Sequence, residues 1–362
     1  MTTIWQIGRH RLARGDCRDA ERLRLLFGGE QARCLVADPP YGMRKAGVLN
    51  DTLRGAPYVA FNAAWYAAIT PYLASLAGCY VFGMDLSLLE FYSGVLREEL
   101  ARKKVCNLQI VTWHKMSASG QRSPFMHMYP VADEKILVFA KGRNPNDHCR
   151  DNYFEGFEPL RGKLHDACKK HKISNRMIKE AAGKGMASHW LCRSQWEFIP
   201  EVYYIALQAW YPEAFPWPWA ELQAEYKAAL RLKAKHSDVH FDNVHDGMTT
   251  VWSMATASPK EKRHCGGHPT VKAQAVLQRI MRTSCPPDGL VVDPFSGTGS
   301  SILAAERTGR RCYAVELSPR WCDVTLRRFE IEAGLKAEII AQTDATTLTD
   351  AKTAKEDDPL AV

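Results

Sequence analysis

What this 362-residue chain lacks narrows its function before any motif is considered. No apolar run approaches the roughly 20 residues that a bilayer span requires, which excludes a membrane-crossing helix. The opening MTTIWQIGRHRLARGD has no apolar core of the kind a signal peptide carries, and this predicts a cytosolic protein. There is no Cys-x-x-Cys; the 11 cysteines are odd in number and spread from Cys17 to Cys322, so an oxidised scaffold is excluded and reduced, mostly buried thiols are expected. His165, Cys168 and His171 share a helical spacing, but no further ligands accompany them, and no metal site is expected. Internal repeats are absent too. With 46% hydrophobic and 24% charged residues, the chain has ample material for a large core and is not disordered throughout.

One stretch is poor in acids. Between Arg161 and Arg193 lie nine basic residues and two acidic ones, an excess of seven in a chain whose net charge is +8. Solvated helix faces intersperse both signs, so the imbalance points to a polyanion. The surrounding region, 144–250, reads as helical: a helix from Asn175 to Ala182, a break at Gly183–Gly185, and a second short helix from Met186 to Cys192 give a helix-turn-helix-like outline. The proline-rich Trp210–Trp219 cannot form a regular element and is expected to pack its rings against a neighbouring surface, before a helix from Glu221 to Lys235. On either side, residues 1–143 and 251–341 alternate apolar strands with helical patterns. Strands are expected at Cys34–Ala37, Gly78–Phe82, Leu108–Trp113, Lys135–Ala140, Leu290–Val292 and Arg311–Val315. Helices are expected at Ala63–Leu76, Leu86–Leu100, Val271–Thr283, Ser300–Thr308 and Ser318–Ala333. That alternation predicts an α/β sheet with helices on both faces. Gly42–Pro57 and Lys115–Pro130 read as mobile loops, and 342–362 as a disordered tail.

Leu290–Ser301, LVVDPFSGTGSS, places Gly297 and Gly299 where a strand turns into a helix, so backbone and a positive helix N-terminus approach a ligand closely. Glu316 ends the next strand, where nucleotide folds place the carboxylate that receives ribose hydroxyls. The third glycine of a dinucleotide fingerprint is missing, Ile302 standing in its place, and no Gly-Lys-Ser/Thr follows. An adenosine ligand without a pyrophosphate remains, of which S-adenosylmethionine is the common one.

Asp38-Pro39-Pro40-Tyr41 follows a buried strand. Two prolines remove two donors and stiffen the chain, so carbonyls and the Asp38 carboxylate become fixed acceptors, suited to an amino group. Tyr41 adds a flat face for a planar base. Together they describe a pocket for the exocyclic amine of a nucleobase, with Asp38, Pro39, Pro40 and Tyr41 as catalytic candidates.

The order DPPY, FSGTG, VELS resembles the β class of amino-methylating DNA methyltransferases, over roughly residues 13–141 and 264–330. The resemblance implies a Rossmann-like S-adenosylmethionine-dependent sheet, catalytic half first and cofactor half last, with the helical insert as target-recognition region. It implies cofactor contacts from Asp16 and Cys17, from Thr270 and Lys272 in HPTVK (Ala273 replacing the family's final proline), and from Asp293, Phe295, Ser296, Gly297, Thr298, Gly299, Glu316 and Leu317. Asp133–Leu137 resembles the family's late catalytic strand. DPPY accompanies N6-adenine methylation and SPPY is more typical of N4-cytosine, so adenine is favoured, with N4-cytosine and a non-catalytic DNA-binding regulator as alternatives. The target must be extruded from double-stranded DNA, with contacts expected from Arg44, Lys45 and Arg122 in the loops and Lys169, Lys170, Lys172, Arg176, Lys179, Lys184 and Arg193 in the insert. A homodimer and a bacterial or phage origin are likewise implied. The recognition sequence, and whether a restriction partner exists, stay open.

Overall fold

The computed structural model describes residues 2–116, 129–142, 155–185, 187–193, 196–236, 240–242 and 249–343. The chain forms two compact units, one of residues 1–143 and 239–362 and one of residues 144–238.

In the first unit the strands are β1 (Thr2–Ile7), β2 (His10–Arg14), β3 (Ala32–Ala37), β4 (Leu73–Gly83), β5 (Val105–His114), β6 (Asp133–Lys141), β7 (Val251–Ser253), β8 (Leu290–Asp293), β9 (Arg311–Glu316) and β10 (Ala337–Thr343). They make one sheet in the order β10-β1-β2-β9-β8-β3-β4-β6-β5-β7. The centre, from β2 through β9, β8 and β3 to β4, is parallel. Both flanks carry antiparallel pairs. The period of two along each strand divides the core. Leu35, Ala37, Val292 and Val315 face one side with α1 (Ala20–Phe27), α2 (Ala56–Ile69) and α3 (Asp85–Phe91). Cys34, Val36, Val291 and Ala314 face the other.

The chain continues through α4 (Arg97–Ala101) and then, in the second unit, α5 (Glu158–Lys170), α6 (Asn175–Ala182), α7 (Glu201–Trp210) and α8 (Trp219–His236). Back in the first unit come α9 (Pro259–Lys262), α10 (Gln274–Ser284), α11 (Ser300–Arg307) and α12 (Pro319–Ala333), the last three covering the second face of the sheet.

The expected α/β sheet with helices on both faces is therefore present, with differences of local origin. Helix α2 starts at Ala56 and not Ala63, because Pro57 suits a first turn, and it ends before Pro71. The helix expected over Leu86–Leu100 is broken by a π-turn at Tyr92–Leu96. There a Cβ on Gly94 would fall 2.3 Å from Val59 Cγ1, so glycine permits the approach of α2. Strands β1, β2, β7 and β10 carry no clean apolar alternation and were not expected. The first unit resumes at residue 239, earlier than the expected 251, and β7 pairs with β5 within it. The expected tail beyond Thr343 lies outside the described residues.

The second unit has its own apolar core, with Leu160, Leu164, Ile178, Trp190, Tyr204 and Phe215 buried. Ser174 caps α6, its hydroxyl accepting from Met177 N–H, and Gly183 closes it in the left-handed region. The second short helix is only a 3-10 turn, Ala187–Trp190. The proline-rich segment is pinned by Tyr204 and Gln208, which donate to the Trp217 carbonyl.

Trp65 is fully buried; its indole N–H donates to Asn62 Oδ1 at 2.8 Å and its ring stacks on Phe91. Trp65→Ala is expected to cost about 3–5 kcal/mol of stability, read as a lowered denaturant midpoint.

Candidate active site

Strands β3 and β8 lie side by side and parallel, Cys34 opposite Val291 and Leu35 opposite Val292. Their carboxyl ends deliver Asp38 and Asp293 to the same edge of the sheet, where open α/β folds place ligands. Strand β9 adds Glu316 and β2 adds Gly15, whose N–H donates to the Glu316 carbonyl at 2.8 Å. A cleft of about 680 Å³ opens over these four ends. It is lined by Asp16, Cys17, Asp38–Tyr41, Glu134, His268–Lys272, Asp293–Thr298, Glu316 and Leu317.

The base-side corner is an ionic knot. Tyr41 hydroxyl lies 2.5 Å from Asp38 Oδ1 and 2.8 Å from Glu134 Oε1. Lys272 Nζ lies 3.0 Å from Asp38 Oδ1, 2.5 Å from Glu134 Oε1 and 3.1 Å from the Tyr41 oxygen, and Lys115 reaches Glu134 Oε2 at 2.9 Å. Both contacts to Asp38 fall on Oδ1; among the described residues Oδ2 is not engaged, and the side chain is 23% exposed. Burial raises the Asp38 carboxyl above its ordinary range against the pull of Lys272, with Glu134 adding to the rise. Burial would raise Glu134 as well, yet Lys272 and Lys115 bring it down to about 2. Burial disfavours the Lys272 charge, but Asp38 and Glu134 hold it at about 12. Burial and the two carboxylates push the Tyr41 phenol well above its usual value.

The other corner is a cradle. Gly297 and Gly299 adopt φ of +54° and +73°, and a Cβ on Gly299 would lie 2.5 Å from Thr325. Glu316 ties the loop down, Oε2 accepting from Gly297 N–H at 2.7 Å and Oε1 from Ser318 N–H at 2.8 Å. A carboxylate has about four lone-pair sites, so acceptor capacity remains. Asp293 accepts from Phe295 N–H and from Ser301 hydroxyl. Ser296 hydroxyl is buried without a partner among the described residues, an orphan that points to a ligand. Asp16 is held by Arg18, and burial lifts the Cys17 thiol to about 12. His268 accepts from Thr270 N–H, lies edge-on to Trp321, and is lowered to about 4 by burial, then by Lys272, Lys45 and Arg320.

The structure thus brings the expected groups into one cleft, with local differences. Lys272, assigned by resemblance to the cofactor, sits on the loop before α10 and touches Asp38; Ala273 is extended, so the helix begins later than the sequence predicts. The Thr298 hydroxyl is taken by Arg328. Gly42–Pro57, expected as a mobile loop, is closed on buried Asp51. Arg122 lies outside the described residues. Glu134 and Asp51 were not singled out as site residues, and Lys115 was expected only as a loop cation toward DNA: Glu134 sits in a segment noted only as a strand, and nothing in the sequence distinguishes a buried partnered acid from an exposed one.

A family model described as DNA methylase, of the N6/N4 methyltransferase type, matches residues 32–327, well over half the chain. The chain belongs to this DNA methylase family. Among curated proteins it is 32% identical over 88 residues to the type II methyltransferase M.ScaI of Streptomyces caespitosus, covering 24% of this chain and 29% of that one. It is 33% identical over 75 residues to the DNA adenine methyltransferase YhdJ of Escherichia coli K12, covering 21% and 26%. The chain therefore spans under a third of the length of these curated relatives. Among solved structures, PvuII DNA methyltransferase, described as cytosine-N4-specific, aligns over 96% of this chain and 92% of its own at 12% identity and a TM-score of 0.49.

Burial raises both Asp293 and Glu316 to about 7, well above the ordinary carboxylate range. The folded protein then holds protons that the unfolded chain has lost, so their contribution to stability is present below about pH 4 and disappears as pH rises through 7. Chemical denaturation between pH 5 and 8 is expected to show this fall, flattened in Asp293→Asn. Glu134, held low, acts in the opposite sense and only in a more acidic window.

Proposed function

We propose that this chain transfers a methyl group from S-adenosylmethionine to an exocyclic amine of double-stranded DNA, with the N6 amine of an extruded adenine as target. The observation that carries the reading is the adjacency of the Asp38 corner and the glycine cradle at the carboxyl ends of β3 and β8, in one cleft. Family membership supports it.

The cradle fits the cofactor: the Ser296 hydroxyl has no partner among the described residues, Gly297 and Gly299 leave the loop bare, and Glu316 retains acceptor capacity for ribose hydroxyls. Asp16, Cys17, Phe295 and Leu317 line the same end of the cleft, with Thr270 beside them. When bound, S-adenosylmethionine supplies a sulfonium-activated methyl group.

The residues of the knot do the rest. An adenine amine is a weak nucleophile because its lone pair is delocalised into the ring. Asp38 Oδ2 and the Pro39 carbonyl accept its two protons in hydrogen bonds, favour a pyramidal nitrogen and direct the lone pair. Lys272 and Tyr41 fix Oδ1, so the acceptor oxygen is oriented before the base arrives. As the nitrogen gains the methyl, positive charge develops on it; the Asp38 carboxylate stabilises that charge, takes the departing proton and releases it to solvent through its exposed edge.

Asp38, in place of the serine more typical of cytosine enzymes, and the adenine specificity in the name of the YhdJ relative favour adenine. For DNA, the second unit offers Lys169, Lys170, Lys172 and Lys179 exposed, and Arg176 and Arg193 exposed while pairing with Glu180 and Glu158; Arg161 and Lys163 are more buried and engaged in ion pairs within that unit. Arg44 and Lys45 are exposed beside Tyr41.

Labelled methyl transfer to duplexes offering only adenine or only cytosine amines tests the reading; adenine labelling is expected. Asp38→Ala is expected to reduce transfer by at least about 10²–10³ while cofactor affinity stays near wild type. The rate should fall on the acid side as Asp38 protonates. Because Lys272 favours the ionised carboxylate, Lys272→Met is expected to move that acid limb to higher pH, measured as the pH dependence of single-turnover transfer.

A further inference from the structure

Immediately after the Asp-Pro-Pro-Tyr corner, the chain wraps around one carboxylate. Asp51 Oδ1 accepts from the backbone N–H groups of Tyr41 at 2.8 Å, Gly42 at 2.9 Å and Met43 at 3.2 Å, and Oδ2 accepts from Lys45 N–H at 2.7 Å. The Asp51 carbonyl accepts from Arg44 N–H at 2.7 Å. Asp51 itself is 4% exposed. Four donors match the acceptor capacity of a carboxylate and offset the cost of burying it. Among the described residues no other side chain fastens this loop so densely; Arg54 adds one bond, from Nε to the Gly42 carbonyl at 2.9 Å.

The loop would not hold this shape unaided. Arg44 and Asn50 both lie in the left-handed region, at φ of +57° and +62°, which non-glycine residues avoid. Gly42 is at +73°, and a Cβ there would meet the Leu53 carbonyl at 2.5 Å. Strained backbone of this kind persists where its surroundings over-determine it, and here the determinant is Asp51.

The first donor in the ring is Tyr41. Its main chain is fixed by Asp51 while its hydroxyl is shared between Asp38 and Glu134. We propose that Asp51 is a positioning residue for methyl transfer: by gathering the N–H groups of Tyr41 to Lys45 it fixes where the Tyr41 hydroxyl lies, and through that hydroxyl the orientation of the Asp38 carboxylate. This rests on the methyltransferase reading above. Asp51 touches neither cofactor nor base in this account; it acts through Tyr41.

The variants separate this role from a merely structural one. Asp51→Asn keeps one acceptor for the three donors on Oδ1 but turns an amide donor toward Lys45 N–H, so it is expected to lose less activity than Asp51→Ala. For Asp51→Ala, kcat should fall at least tenfold, with KM for S-adenosylmethionine within about twofold of wild type. The decisive measurement is the double-mutant cycle with Tyr41→Phe. If Asp51 acts through the Tyr41 hydroxyl, the kcat loss caused by Asp51→Asn shrinks to near unity in the Tyr41→Phe background. Multiplying losses, an unchanged kcat, or a loss of cofactor binding proportional to the loss of rate would overturn the assignment. If the wild-type protein labels no DNA at all, it is the underlying reading that fails, and the cycle is not needed to show it.

Discussion

The parallel pairing of β3 with β8 is the constraint on which the rest of this molecule depends. Residues far apart in the chain become neighbours because two short apolar strands, each buried on both faces, share a hydrogen-bonded edge. Neither strand holds a ligand. An aspartate closes β8 and another directly follows β3, and the loops there inherit their position from the pairing: a stiff, donor-poor corner on one side and a bare glycine turn on the other. A slip of one residue in this register would turn every side chain of the strand to the opposite face. The two helical layers, each matched to alternate residues of the same strands, therefore guard the geometry of the cleft as well as the stability of the fold.

Within the cleft, electrostatics assigns different states to similar groups. Glu134, beside two ammonium ions, is held as an anion, whereas Asp293 and Glu316, deep in the cradle and served mainly by neutral donors, titrate near 7. Asp38, half-buried, is raised by burial and by Glu134 against the pull of Lys272. The site thus contains one firmly ionised acid between two lysines and three carboxyls that burial raises.

Much of this was legible in the sequence, and the limits are physical. The central strands and the glycine turn announce themselves because parallel buried strands are continuous apolar runs and because a turn between strand and helix needs glycine. The outer strands did not: Thr2, Thr3 and His10 are buried polar residues, and Ile339 and Ile340 are exposed apolar ones, so neither follows the expected alternation. Lys272 was found by its motif, but its ion pairs with Asp38 and Glu134 were not, since motif spacing does not reveal which way a loop side chain turns. Glu134 and Asp51 carry no local signature at all. Their importance arises from tertiary closure, in one case across two neighbouring strands, in the other around a ring of backbone amides. Charge composition pointed to the second unit, while only the structure distinguishes cations occupied in its own packing, such as Arg161, from those left facing solvent.

The knot beneath Tyr41 also has an arithmetic. Two carboxylates, Asp38 and Glu134, meet two ammonium groups, Lys272 and Lys115, and the enclosed formal charge cancels. A neutral residue at position 38 would leave the two ammonium groups sharing the single charge of Glu134, so exchange of the aspartate for a hydroxyl-bearing residue would alter the charge balance of the whole knot and not of one side chain alone.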